Sequence, residues 1–192
     1  MVSVPFPQIH TWTRDEYHRM ADMGLFLNRR VELIEGQILD MAAMKSPHAV
    51  AIDLVDAALQ SVFANGYYIR QQKPLVLGDR SEPEPDIAVV SGTIRDYATA
   101  HPRMAVLVVE VADSSLTYDR TTKVSLYAKA GIPDYWILNL VNHHLEVYRH
   151  PAATVGPDAG WGYRQRTLYS ADTQVVPLGT GAGAIAVADL LP

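Results

Sequence analysis

Apolar positions recur along this chain in two periods, and the switches between them outline its elements. Beyond Ser46-Pro47, the residues Val50, Leu54, Val55, Ala58, Leu59 and Val62 repeat at three- and four-residue steps. That spacing gives a helix one apolar stripe. Ser46 supplies an N-cap, Pro47 a first-turn residue that needs no N–H, and Gly66 the stop. Nearer the start, Thr13-Arg-Asp-Glu16 has the form of a capping box and predicts a short helix running to about Leu25. Val31 to Ile34 and Gln37 to Met41 flank Glu35-Gly36, which predicts a hairpin turning at the glycine. Tyr67 to Gln72, Leu75 to Leu77 and Asp86 to Val90 read as strands, with a Pro-, Gly- and acid-rich loop from Gly78 to Pro85. Ala105 to Ala112 is a nearly unbroken apolar run, the signature of a strand covered on both faces. A helix from about Tyr118 to Ala130, ended by Gly131 and Pro133, leads to a strand at Tyr135 to Leu140. Leu145 to Arg149 then pairs back across Asn142-His143.

The strand–helix–strand order between Ala105 and Leu140 predicts a crossover with its two strands parallel. Hairpins elsewhere predict antiparallel pairs, so the fold class is α/β or α+β, a mixed central sheet flanked by helices. After Pro151 the chain turns rich in Ala, Gly and Thr, with weak strand signals around Tyr163 and Ile185. This tail reads as a peripheral meander of one domain spanning residues 1–192, with its core at about 11–150. A chain of 192 residues is the natural size for one compact domain.

Composition then narrows the chemistry. Cysteine is absent, which excludes disulfide scaffolds, thiolate zinc sites and a Cys nucleophile, and fits a reducing cytoplasm. The first residues lack a basic segment followed by an apolar one, and no apolar stretch approaches the ~20 residues of a membrane span. A soluble, cytoplasmic protein with no membrane partner is expected. The net charge of −5 argues against gripping nucleic acid by bulk electrostatics, yet a cluster of carboxylates that holds a cation is itself acidic. Phosphate-binding loops, dinucleotide fingerprints, GxSxG and HExxH patterns are missing.

Against this background Glu110 is the anomaly, a carboxylate inside a run of valines. Ionised and unpartnered there it would cost several kcal/mol, so it is paired, protonated or metal-bound, unless the strand edge lets it reach solvent. Asp86 opens the preceding strand after Pro85. If the two strands are antiparallel neighbours, Asp86 and Glu110 converge at one end of the sheet, where they repel unless a cation lies between them. An oxygen-rich pair suits Mg²⁺ or Mn²⁺; alone, Asp86 also reads as a turn residue. Lys123 follows Asp119 by four residues, which predicts either a solvated ion pair or a lysine leaning over the sheet end. His48, in the first turn of its helix, is expected neutral because the helix N-terminus disfavours its cation; it is either a ligand or proton acceptor, or a surface residue. Glu32 lies inside the first hairpin strand, where outward glutamates are routine.

Several strings together resemble one family. Val31-Glu-Leu-Ile-Glu-Gly36, Ser46-Pro-His48, Glu82-Pro-Glu-Pro-Asp-Ile-Ala-Val-Val90, Val109-Glu-Val-Ala-Asp-Ser-Ser-Leu116, Tyr118-Asp-Arg-Thr-Thr-Lys123 and Tyr127-Ala-Lys-Ala-Gly-Ile-Pro-Asp-Tyr-Trp136 are similar to the Uma2 family, also called DUF820. The resemblance implies the PD-(D/E)XK restriction-endonuclease-like fold and metal-dependent hydrolysis of phosphodiester bonds, with DNA as substrate and a homodimer as assembly. Pro85-Asp86 matches the PD half of that signature and Glu110 the acidic residue of the other half, both as metal ligands. The lysine due two residues later is Ala112 here, and the family's lysine corresponds to Lys123 on the following helix. Glu32 resembles an early acidic residue, and His48 and Gln72 match positions near the cleft. The alternative from another class is a catalytically inactive nucleic-acid-binding or regulatory module that keeps the fold.

Overall fold

The computed structural model describes residues 7–63, 65–156, 159–179 and 183–192. The chain opens with α1 (Arg14–Asp22), capped by Thr13 in a reciprocal capping box: Glu16 N–H donates to Thr13 Oγ1 at 3.3 Å and Thr13 N–H to Glu16 Oε2 at 2.8 Å. It stops short of Leu25, because Gly24 turns left-handed at φ +80°. β1 (Val31–Ile34) and β2 (Gln37–Asp40) form the expected hairpin. Glu35 and Gly36 both take positive φ, as a tight two-residue hairpin turn demands. A Cβ at Gly36 would stand 2.6 Å from Thr11 Cβ, so the position also lacks room for a side chain. α2 (Ser46–Val62) is the apolar-striped helix; Lys45 takes the cap position and Ser46 enters the first turn, one residue off the expected cap.

The central sheet holds six strands in the order β3 (Tyr67–Gln71), β4 (Ile87–Ser91), β5 (Leu107–Ala112), β6 (Asp134–Asn139), β7 (His144–Ala153) and β8 (Trp161–Ser170). β5 and β6 are parallel and every other neighbouring pair is antiparallel, which makes the expected mixed sheet. The β5–β6 connection is helical: α3 (Leu116–Tyr118), a π-helical stretch at Asp119–Lys123 and α4 (Val124–Lys129). β9 (Gln174–Val175) and β10 (Ile185–Ala186) form a small separate pair.

Two expectations shift for physical reasons. Leu75 to Leu77 forms no strand. Leu75 N–H donates to Pro83 O and Leu77 N–H to Ser81 O, but Pro83 and Pro85 have no N–H to return, so no ladder grows. After Pro151, β7 continues to Ala153, and the weak signal at Tyr163 becomes the ten-residue strand β8 at the sheet edge. β8 is mostly exposed, so its pairing rests on backbone bonds to β7 rather than on an apolar alternation.

Alternate residues of the central strands feed two apolar layers. Val89, Leu107, Val109, Val111, Trp136 and Leu138 pack against Ile52, Val55 and Leu59 of α2. Ala88, Val108, Tyr135 and Ile137 pack against Leu126 and Tyr127 of α4. With helices on both faces, the middle of the sheet is dry, and a charged residue there must find a partner within the protein. Leu59, fully buried, anchors α2 to the sheet. Leu59→Ala is expected to lower stability by about 2–5 kcal/mol, read from the urea midpoint; a change below about 1 kcal/mol would mean α2 is not a load on the sheet.

Candidate active site

Asp86 immediately precedes β4, whose Ile87 stands opposite Val109 of β5. The antiparallel register therefore sets Asp86 beside Glu110. Asp86 N–H donates to Glu110 Oε2 at 3.3 Å, and Val111 N–H donates to Asp86 Oδ2 at 2.9 Å. Glu110 is only 6% exposed, which overturns the reading in which the strand edge gives it to solvent. It projects to the sheet face covered by α4, where Tyr127 donates its hydroxyl to Glu110 Oε1 at 2.6 Å.

Lys123 does not make the solvated ion pair with Asp119. It is 4% exposed; its Nζ donates to Glu32 Oε2 at 2.9 Å and stands 3.4 Å from Glu110 Oε1. Glu32, on the wholly buried β1, also accepts the N–H of Glu84 at 3.1 Å. The π-helical stretch that ends at Lys123 begins at Asp119, and both are turned inward. Such wide turns are frequent at functional sites. Asp119 accepts the hydroxyl of Ser115 at 2.6 Å.

From the opposite face α2 brings in His48, whose Nε2 lies 3.1 Å from Asp86 Oδ1. Gln72 Nε2 donates to the same oxygen at 3.4 Å from a backbone held at φ +46°. A non-glycine residue in that conformation is held there by its surroundings, and such strain concentrates at functional sites. A cavity of about 430 Å³ opens over the group, lined by Glu32, His48, Asp86, Glu110 and Lys123 together with Gln72, Tyr118 and Asp119. The five expected residues are thus brought together, from β1, α2, the start of β4, β5 and the π-helical stretch. Asp119, Tyr118 and Tyr127 were not expected. Asp119 and Tyr127 do lie four residues either side of Lys123, on its own helix face, which is the signal that points to them.

The chain matches, over residues 14–175, the model of a family described as "Uma2: Putative restriction endonuclease". The chain belongs to the Uma2 family. The Uma2 chain is also similar in structure to one described as a putative nuclease belonging to DUF820 from Anabaena variabilis ATCC 29413, with a TM-score of 0.68 and 19% identity. That likeness covers 93% of this chain and 96% of the other, and it shows the shared fold. No match is found among curated proteins.

Charge sets the behaviour of this Uma2 site. Burial, reinforced by Asp86 and Asp119, pushes the Glu110 carboxyl up to about 8, against the pull of Lys123 and the Tyr127 hydroxyl. Burial likewise lifts Asp119 to about 6, opposed by Ser115 and Lys123. Burial would strip Lys123 of its proton, but Glu110 and Glu32 outweigh it, so the lysine stays charged. For His48 the hydrogen bond to Asp86, 3.1 Å away, raises the pKa, the opposite direction to that expected from the helix N-terminus.

Buried carboxylates driven to hold protons mark a place with too little positive charge, and an oxygen-rich donor set there fits a hard divalent cation. Among the described residues no group of three acidic or histidine side chains is arranged to hold an ion alone. Asp86 and Glu110 would therefore share it with water, backbone oxygen or substrate phosphate, as magnesium commonly requires. The residues fit such an ion.

A second buried carboxylate, also not expected, lies in the same row of the sheet: Glu110 is opposite Ile137, and Ile137 is opposite Glu146. Glu146 is 0% exposed and is held by Arg120, Arg166, Tyr148 and Asn139. Burial pushes its carboxyl up, but these partners prevail and hold it at about 2. A carboxyl depressed from about 4.5 to about 2 contributes stability that is present above the higher value and lost as pH falls through the lower. Glu146→Gln is thus expected to be less stable than wild type at pH 6, with the gap closing between pH of about 4.5 and about 2 in urea titrations; a gap independent of pH would refute the assignment. Lys123→Met leaves Glu32 and Glu110 facing each other without a cation. It is expected to cost about 3–5 kcal/mol, of which Lys123→Met/Glu32→Gln regains a part; a double-variant loss equal to the sum of the losses of Lys123→Met and Glu32→Gln alone would show that the two residues are uncoupled.

Proposed function

We propose that this Uma2 protein is a metal-dependent endonuclease that hydrolyses phosphodiester bonds of DNA, with Mg²⁺ or Mn²⁺ held by Asp86 and Glu110. The observation that carries the reading is the convergence of those two carboxylates across β4 and β5, with the Lys123 ammonium 3.4 Å from Glu110 Oε1. The family's description as a restriction endonuclease supports DNA as the substrate.

Each residue has a part that follows from its contacts. Asp86 and Glu110 offer oxygens into one cavity. When bound there, a divalent ion supplies a water of lowered pKa and neutralises charge on the phosphate. Glu32 orients Lys123, whose fixed positive charge lies where negative charge grows as the phosphorus is attacked. His48, tethered to Asp86 and with its pKa raised, favours a proton at the cavity wall, where it can serve as a general acid. Gln72 and His48 together fix the rotamer of Asp86.

The test is cleavage of supercoiled plasmid by purified protein with Mn²⁺ or Mg²⁺, beside calorimetric titration of Mn²⁺. Wild type is expected to nick or linearise the plasmid and to bind the ion. Asp86→Ala and Glu110→Ala are each expected to lower cleavage by about 100-fold or more and to weaken Mn²⁺ binding. Nucleic-acid binding that persists in EDTA, with no cleavage under any ion, would overturn this reading in favour of a non-catalytic binding module.

A further inference from the structure

Tyr118 closes α3, one residue ahead of the π-helical stretch, and lines the cavity over Asp86 and Glu110. Its hydroxyl oxygen is buried and has no hydrogen-bond partner in the protein. Among the described residues one other buried side-chain atom shares that condition, Nε of Arg70. The Arg70 guanidinium still donates to Pro74 O and lies 5.8 and 5.5 Å from the rings of Tyr68 and Tyr97. Tyr118 has no such compensation. A buried hydroxyl left unpaired works against folding, so its place at the cavity wall calls for a partner that the protein alone does not supply.

The charged and amide donors around the cavity already face carboxylates. Lys123 faces Glu32 and Glu110, His48 and Gln72 face Asp86, Arg30 faces Glu84, and Lys45 faces Asp113. The Tyr118 hydroxyl is a donor buried at the cavity wall and not engaged by a carboxylate. It also keeps its proton: burial, then the charge of Glu32, pushes its pKa up to about 12. A phenol that stays protonated among carboxylates offers a hydrogen bond to an acceptor, and the acceptor that a phosphodiester brings is its non-bridging oxygen.

We propose that Tyr118 is a substrate-binding residue, its hydroxyl donating a hydrogen bond to a phosphate oxygen of the phosphodiester held over Asp86 and Glu110. The inference rests on the nuclease reading for the identity of the ligand, and the two are separable by measurement. Tyr118→Phe removes a single oxygen that holds nothing in the free protein. Its thermal midpoint is therefore expected to match or exceed that of wild type, with Mn²⁺ affinity unchanged. Its affinity for a short DNA duplex, measured by fluorescence anisotropy with Ca²⁺ present, is expected to fall by about ten-fold. A duplex whose contacted phosphates are replaced by methylphosphonates, which removes the charge and one of the two non-bridging oxygens, should narrow the difference between wild type and Tyr118→Phe. Equal affinity of the two proteins for the unmodified duplex would overturn the inference, as would a lowered midpoint accompanying the lost affinity, which marks a structural role. Plasmid cleavage by wild type decides the nuclease reading on its own. Cleavage with no effect of Tyr118→Phe sinks the inference alone, a ten-fold affinity loss without cleavage by wild type sinks the nuclease reading alone, and no duplex binding by wild type sinks both.

Discussion

A single ammonium group inside the protein ties three parts of the chain together. Lys123 reaches from the helical connection between β5 and β6 to Glu32 of the hairpin and to Glu110 of the central sheet. None of these groups can stay charged in a dry interior by itself. Together they fix the angle at which the hairpin sits on the sheet, because moving any one element strands a charge on another. The hairpin has other long-range anchors: the exposed Glu35 pairs with Lys129, Leu33 bridges Glu82, and Gly36 N–H donates to the carbonyl of Arg80. The wide π-helical turn serves the same end, since both of its terminal residues, Asp119 and Lys123, are buried.

The charge balance around that lysine is incomplete. Burial pushes Glu110 and Asp119 to retain protons, and the carboxylates from β1, the start of β4, β5 and the π-helical stretch, which outnumber the cations that face them, add to the push. Stability alone would favour neutral residues at such positions; sites that keep mismatched charges trade stability for chemistry. The same sheet row carries a contrasting solution at Glu146, where arginines from the helical connection and from β8 over-neutralise one carboxylate. One end of that row therefore has surplus negative charge and the other surplus positive charge, about two strands apart.

Much of this was visible in the residues themselves. Glu110 stood out because valines surround it, Asp86 because Pro85 and the start of a strand precede it, and the β5–β6 crossover because an apolar run, a helix and a second strand follow in order. What stayed hidden has specific causes. Glu146 lies in Leu145-Glu-Val-Tyr-Arg149, whose alternation reads as a strand with one wet face, yet arginines from elsewhere cover it. Tyr118 was hidden because its hydroxyl is buried beside a turn wider than the 3.6-residue period. The pull of Asp86 on the His48 pKa was hidden because the two residues meet only in space. β8 gave only a weak signal at Tyr163 because an exposed edge strand has little apolar pattern to display.

The spread of the cavity residues also bears on how the molecule assembles. Glu32, Asp86, Glu110 and Lys123 are separated by long stretches of chain, and Lys123 meets Glu32 across 91 positions. The β5–β6 pair closes only after the intervening helix is laid down, an entropically slow kind of contact. A fragment that ends before Lys123 cannot hold the complete carboxylate cluster with its cation. Any hydrolytic capacity therefore waits until the helical connection has docked on the hairpin and the sheet.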